Sequence, residues 1–315
     1  MAEAKQDKVL SNVFNKKLKN WIDSSLVQST SQNDNAYVTG YDKIIIPQFS
    51  GAIPQVDITG ATDWNAQTLS TVTHTSNEYS INTRKFGAVL VTVLDEEELL
   101  YDKAAQIMDQ MQIDIEKYLV EYTMYKWTTT KAGNLVPTTG TARLNRIGTT
   151  VKAMTYADFT AANQILDEQL IPAEGRVFVG NSRMIRDIKN MSEWDNSDVR
   201  TTEIMTTGYV GMLDGVKIYQ RETNNVFAIG GAALQPFETA PVITDLFYGM
   251  IYHPAFVRSA IGTNATSGGA QFIVRYPSGV AGKPALEAYV RVGASRSYLD
   301  GATTSTGIVT IVETV

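Results

Sequence analysis

The chain contains no cysteine. Disulfides, thiolate zinc sites and cysteine nucleophiles are excluded together. Histidine is nearly as scarce. His74 lies in a polar stretch, His253 precedes Pro254, and neither shares a motif with the other or with a carboxylate. No apolar run is long enough to span a membrane. The N-terminal residues MAEAKQDKVLSNVFNKKLKNW break their apolar positions with charge and do not read as a secretory signal. G-x-S-x-G, a Walker-type phosphate loop and a dinucleotide fingerprint are all missing. The Gly230-Gly231 pair lacks the spacing that cradles a phosphate. Arg176 follows Gly175 and could hold an anion, but pairing with a neighbouring carboxylate is the preferred reading. No catalytic, cofactor-binding or metal-ligating residue is nominated.

What is present is enough for a folded protein. The 315 residues include 43% hydrophobic and 19% charged side chains, sufficient for a sizeable core. The net charge is −6, which argues against a dedicated nucleic-acid binder. The first twenty residues run the other way, with Lys5, Lys8, Lys16, Lys17 and Lys19 against Glu3 and Asp7. Residues 7–26 carry Leu10, Phe14, Leu18, Trp21 and Ile22 on one helical face. The polar stretch STSQNDNAYVTG then reads as a linker.

From 43 to 93 the pattern is extended. KIIIPQF is a β-branched run ended by Pro47, and GAVLVTV is a second apolar run that needs a partner on a sheet. The polar residues between them cannot bury enough surface to order alone. They read either as a disordered loop or as a long β-hairpin ordered against a neighbouring subunit; the flanking GAVLVTV favours the hairpin, with Trp64 and Tyr79 as anchors and protease-sensitive bonds at Arg84 and Lys85. Residues 95–127 form a strut helix. Leu100, Ala104, Ile107, Met111, Ile115, Tyr118, Tyr122 and Tyr125 recur at steps of three and four, and Asp95 to Glu98 complement the helix dipole rather than bind a metal.

Residues 128–153 read as turns and short strands. MTYADFTAANQILDEQLIPAEGRVFVGNSRM follows. Thr155 and Asp158 have capping-box spacing for a helix over 156–170 that buries Phe159, Ala162, Leu166 and Leu170 and stops at Pro172 and Gly175. RVFVG is a strand, and Asn181 or Ser182 caps a helix carrying Met184, Ile185 and Ile188. Beyond residue 200 the chain is mainly β. Asp214-Gly215 marks a tight turn, and GIVTIVETV is an imperfectly alternating last strand. An arm and an excursion that cannot bury their own faces, a strut, and an α/β unit without a site describe an assembly protein.

On these segments the chain resembles the major capsid proteins of tailed bacteriophages, with the Hong Kong 97-type fold. YADFTAANQILDEQLIPAEGRVFVGNSRM is the most specific local match, and GYVGMLDGVKIYQRETN and LFYGMIYHPAFVRSAIG are similar to further segments of such coats. The resemblance implies an α+β chain divided into an N-terminal arm (1–45), an extension-loop β-hairpin (46–93), a peripheral domain with the spine helix (94–154), an axial domain (155–283) and return strands to the peripheral domain (284–315). It implies hexamers and pentamers closing into an icosahedral shell around double-stranded DNA, assembled in the host cytoplasm. The DNA would be met without specific contacts, and no membrane would be involved. Expected partners are a portal protein, a separate scaffolding protein and decoration proteins. No long helical leader precedes the arm, which is the ground for expecting any scaffold to be separate. The alternative is an encapsulin-type compartment, whose residues 10–22 would hold cargo enzymes.

Overall fold

A computed structural model describes residues 26–38, 43–50, 73–90, 103–195, 209–228, 233–262, 271–275, 285–296 and 307–315. A short helix α1 (Leu26–Ser29) leads to β1 (Gln32–Asn33). Strands β2 (Lys43–Ser50), β3 (Thr73–Ser80) and β4 (Asn82–Leu90) precede the long helix α2 (Lys103–Trp127). Three short strands follow, β5 (Leu135–Pro137), β6 (Ala142–Leu144) and β7 (Thr150–Lys152). Then come α3 (Tyr156–Glu168), β8 (Val177–Gly180), α4 (Ser182–Lys189) and α5 (Ser192–Asp195). The remainder is β: β9 (Tyr209–Leu213), β10 (Val216–Gln220), β11 (Tyr248–Tyr252), β12 (Val257–Ile261), β13 (Gln271–Arg275), β14 (Ala285–Arg296) and β15 (Ile308–Val312).

Two sheets organise these elements. The six-stranded sheet has the order β5-β15-β11-β8-β10-β9. It is covered on both faces, so its strands read as near-continuous apolar runs. Period-two alternation then sorts side chains between two cores. Phe178, Ile251, Val309 and Ile311 face α3 and α4, where Phe159, Ala162, Leu166, Met184 and Ile188 pack. Val177, Val179, Met250, Tyr252, Ile308 and Val312 face Val120, Met124 and Trp127 at the end of α2. The imperfect alternation of GIVTIVETV is explained by this double burial. Thr310 is the one polar residue within β15, and its hydroxyl donates to the Thr129 carbonyl. β5 and β15 flank the 155–283 stretch in sequence, yet both join the sheet that contains β8.

The five-stranded sheet is built on β14, which pairs with β12, β13 and β4, while β1 adds to β12. Met111, Ile115, Leu119 and Tyr122 of α2 pack on Ala288, Val290 and Val292. The described part of α2 has 25 residues, a length of about 37 Å at 1.5 Å per residue. Asp95 to Glu98 and Leu100 lie outside the described residues. The stripe expected on α2 holds at Met111, Ile115 and Tyr122, but Leu119, Val120, Met124 and Trp127 are buried as well. The C-terminal half of the helix meets both sheets, so its buried surface is wider than one stripe.

Several expectations are corrected. Residues 29–38 are not a free linker. Gln32 and Asn33 pair in parallel with Arg258 and Ser259, and the Asn35 side chain accepts from the Ile261 amide at 2.7 Å. Tyr79 is buried within its own subunit. Arg84 and Lys85 lie in β4, paired to β14, where Arg84 bridges Glu238 and Lys85 bridges Glu287. They are part of a sheet rather than a protease-sensitive loop. His74 lies in β3, opposite Phe49 of β2, and not in a loop. β2 and β3 pair from Lys43–Ser80 to Ser50–Thr73, so this stretch is extended and paired as expected, while residues 51–72 lie outside the described residues. Trp64 and all but Leu26 of the helix expected over 7–26 lie outside the described residues.

Leu170 is the clearest correction. Helix α3 ends at Glu168, and Leu170 takes φ 58° with its side chain 90% exposed. The Ile171 amide donates back to the Leu166 carbonyl, so Ile171 fills the apolar position instead. This is a helix stop in which a left-handed residue lets the chain fold back on the last turn. Other local signals are met. Thr155 and Asp158 form the capping box, Asn181 caps α4 by accepting from the Met184 amide, and Asp214 and Gly215 take φ 49° and 77° in the β9–β10 turn.

Candidate functional site

The residues most suited to chemistry are committed to structure. His253 Nδ1 accepts from the Ala255 amide at 3.2 Å, and Nε2 lies 3.1 Å from the Glu174 carbonyl. A carbonyl only accepts, so this pairing selects the neutral tautomer with the proton on Nε2. Burial lowers the His253 pKa and favours the same neutral form. The ring caps the turn Pro254–Phe256.

Arg176 is 1% exposed. Its guanidinium donates to Asp167 Oδ1 and the Ile171 carbonyl at 2.6 Å each, to the Pro172 carbonyl at 3.0 Å and to Asn163 Oδ1 at 2.5 Å. It fastens the end of α3 to β8 and has no donor left for an external anion. The sequence reading of a carboxylate-paired arginine holds.

Two polar clusters join segments distant in sequence. Asp34 is buried and accepts from Tyr79 Oη at 2.8 Å and Arg258 Nη1 at 3.0 Å. Burial and the Asp34 carboxylate hold the Tyr79 phenol far above its ordinary pKa, so it remains a donor. The stretch after α1, the β2–β3 hairpin and β12 therefore meet at one carboxylate. In the second cluster, Arg143 donates to Asp187 Oδ2 at 2.9 Å and Glu313 Oε1 at 3.0 Å. The Met154 amide also donates to Asp187, and the Phe247 amide to Glu313. Burial pushes the Glu313 pKa up against the opposing pull of Arg143. Arg143 Nη1 is buried and has no hydrogen-bond partner among the described residues.

That guanidinium lines a cavity of about 640 Å³ between β6, the start of α3, and α4–α5. Arg183 and Arg186 lie on its rim, and Leu144, Met154 and Met191 supply apolar wall. Its Tyr156 and Ser192 hydroxyls are each tied to one carboxylate, with no histidine beside them. Tyr156 Oη donates to Asp214 and Ser192 Oγ to Glu193. Among the described residues no group of three or more histidines and carboxylates is placed to hold a metal ion. No helix among them is long and apolar enough to cross a membrane. The arrangement offers cationic donors beside apolar surface, which suits binding rather than bond making. Sequence reasoning missed this cavity, because Arg143, Arg183 and Arg186 come together only through the packing of β6 against α4.

The fold is that of solved bacteriophage capsid structures. The capsid of Ralstonia phage GP4 superposes with a TM-score of 0.63 at 12% identity, over 91% of this chain and 87% of that one. The capsid of cyanophage P-SCSP1u gives 0.57 at 12% identity, over 91% and 88%. A chain from Mycobacterium phage Che8 gives 0.55 at 14% identity, over 91% of each. No family model matches the sequence, and no curated protein matches it either. The likeness is one of fold, carried at an identity where side chains have largely been replaced.

Proposed function

We propose that this chain is the major capsid protein of a tailed bacteriophage, with the Hong Kong 97-type fold and a structural rather than catalytic role. The observation that carries this reading is the match over 91% of the chain to the GP4 capsid. Such coverage spans nearly the whole chain rather than one common motif. The internal arrangement supports it. A long helix braces two sheets, a hairpin extends from the smaller one, and the polar groups found are used as structural ties.

The proposed division is an arm (1–45), an extension loop (46–93), a peripheral domain (94–154), an axial domain (155–283) and return strands (284–315). The sharing of β5 and β15 with the sheet of β8 fits these parts being welded into one wall element. Copies would form hexamers and pentamers, assemble in the host cytoplasm and close into the head shell. Portal, scaffolding and decoration proteins are the proposed partners. Packaged DNA would lie against the shell without a dedicated site, as the net charge of −6 suggests. Repetition of modest contacts around closed symmetry would stabilise the whole.

Expression of the chain, alone and with its neighbouring structural genes, followed by electron microscopy and nuclease-protected DNA measurement, tests the proposal. Closed icosahedral particles holding DNA are expected. Particles that hold a cargo enzyme instead would overturn it in favour of a compartment, and a soluble monomer under all conditions would remove the shell altogether.

A further inference from the structure

Two features at opposite ends of α3 have no role among the described residues. At its C-terminal end stands Leu170, with φ 58° and 90% exposure. Left-handed backbone disfavours any side chain with a Cβ, and glycine is the usual occupant of such a helix stop. Water around a leucine side chain is unfavourable as well. Two local conflicts at one residue point to a requirement beyond local folding. Four residues on, Glu174 is exposed. Its carbonyl contacts His253, but its carboxylate has no partner among the described residues.

At the N-terminal end of α3 lies the cavity of about 640 Å³. Its acids are already engaged, Asp187 by Arg143 and the Met154 amide, Glu193 by Ser192. Its spare donors are Arg143 Nη1, buried without a partner, and the exposed Arg183 and Arg186, which are unpaired among the described residues. Leu144 at its wall is 57% exposed. One end of α3 thus presents an apolar side chain and a free carboxylate, and the other an apolar wall and free guanidiniums.

We propose that the turn 170–174 of one copy of this chain seats in the Arg143–Arg183–Arg186 cavity of the next copy. Leu170 packs toward Leu144 and Met191, and Glu174 pairs with Arg183 and Arg186. The proposal rests on the shell reading above and names a contact within it. The knob cannot fill its own subunit's cavity, because the 13 residues of α3 hold the two about 20 Å apart. Two different patches in contact make a heterologous interface, which closes into a ring when the rotation permits. The cavity has the size of a small-ligand pocket, suited to a few side chains. Asp187 and Glu193 on its wall oppose a polyphosphate occupant.

The absence of cysteine from the chain gives a clean test. Ala173→Cys and Asn190→Cys are introduced singly and together, and assembled particles are oxidised and run on non-reducing gels. Both positions are exposed. The double variant is expected to give a ladder of cross-linked subunits and each single variant none. Wild-type-like particles without a ladder would overturn the contact and leave the shell reading intact, whereas wild-type subunits that never associate would sink both. Charge exchange provides a second readout. Glu174→Arg, and separately Arg183→Glu with Arg186→Glu, should each lower particle yield about tenfold, and the combination should restore it, as like charges across a docked interface are repulsive. Loss of retained DNA with unchanged yield in the arginine variant would assign the cavity to nucleic acid and overturn the proposal.

Discussion

The six-stranded sheet and the β2–β3 hairpin are both built of β-structure, but they bury their residues in different ways. In the former, all five residues of β11 and all five of β15 are buried, with helices over one face and the end of α2 over the other. In the hairpin, Ile44 and Tyr79 turn inward at the base while Ile45 is 63% exposed. The first sheet is complete inside one subunit. The hairpin is anchored at its base by a buried carboxylate, Asp34, and leaves Ile45 outside. A subunit that closes one sheet and leaves Ile45 of the hairpin exposed is suited to having that residue covered by a neighbour.

The contrast is broken most severely at Phe178. It lies between α3 and β11, and a Cβ on Gly249 would come within 2.8 Å of its ring. Phe178→Ala is expected to destabilise the subunit by about 3–5 kcal/mol through cavity formation. Urea unfolding of isolated subunits measures this, and a loss below about 1 kcal/mol would mean that the sheet does not depend on this packing. Next in size is Met111→Pro, buried in the interior of α2, at about 3 kcal/mol or more from a lost hydrogen bond and a ring clash. Its signature is failed assembly or insoluble protein. Normal particles from this variant would refute the strut.

Asp34→Ala probes the hairpin's anchor. It leaves Tyr79 and Arg258 without their shared acceptor, at about 1–3 kcal/mol. Hydrogen exchange should quicken in β2 and β3 and remain slow in β8 and β11. Equal quickening in both would erase the distinction between the two regions.

Which parts of this architecture the sequence discloses follows from how local each signal is. Thr155 with Asp158, Asn181 before α4, and Asp214-Gly215 are set by residues within four positions of each other, and each appears as read. The long helix was legible from its period, but its width of burial was not. Trp127 is buried by packing against Tyr252, 125 positions further on, and its indole N–H is satisfied by the Arg258 carbonyl. The supposed linker failed for the same reason. Its polar side chains look solvated until Ser259, Ile261 and Arg258 supply partners. Leu170 was read as the next apolar step of a helix, because a 3.6-residue period carries no mark of where the backbone turns left-handed. The candidate cavity left no trace in sequence, since no motif links Arg143 to an α4 that begins 39 positions later at Ser182.

Glu313 adds a pH dependence that belongs to the closed sheet alone. Its pKa is raised on folding, chiefly by burial. The folded state therefore holds the proton more tightly than the unfolded chain. Stability from this group is present below the ordinary carboxylate pKa and is lost as pH rises from there through the raised value. Glu313→Gln should flatten that decline in a urea-stability series from about pH 4 to about pH 7. An unchanged slope would place the titration elsewhere, while hairpin exchange rates should not respond to the substitution.

The smallest effect has the opposite sign. Leu170 occupies left-handed backbone with its side chain in water, so Leu170→Gly removes a steric penalty of about 1 kcal/mol. Glycine's freedom in the unfolded chain takes back part of that gain, and the net stabilisation expected in urea unfolding is about 0.5 kcal/mol. Most buried positions of the closed sheet can only lose stability on truncation, whereas this exposed one gains. If Leu170 is held in place by its contact with the next copy, the same variant should assemble less well while its subunit grows more stable. A variant that is both more stable and fully competent to assemble would show that Leu170 serves neither the subunit nor the interface. A loss of stability would show that the φ of 58° is imposed by packing around Ile171 that the leucine itself supports.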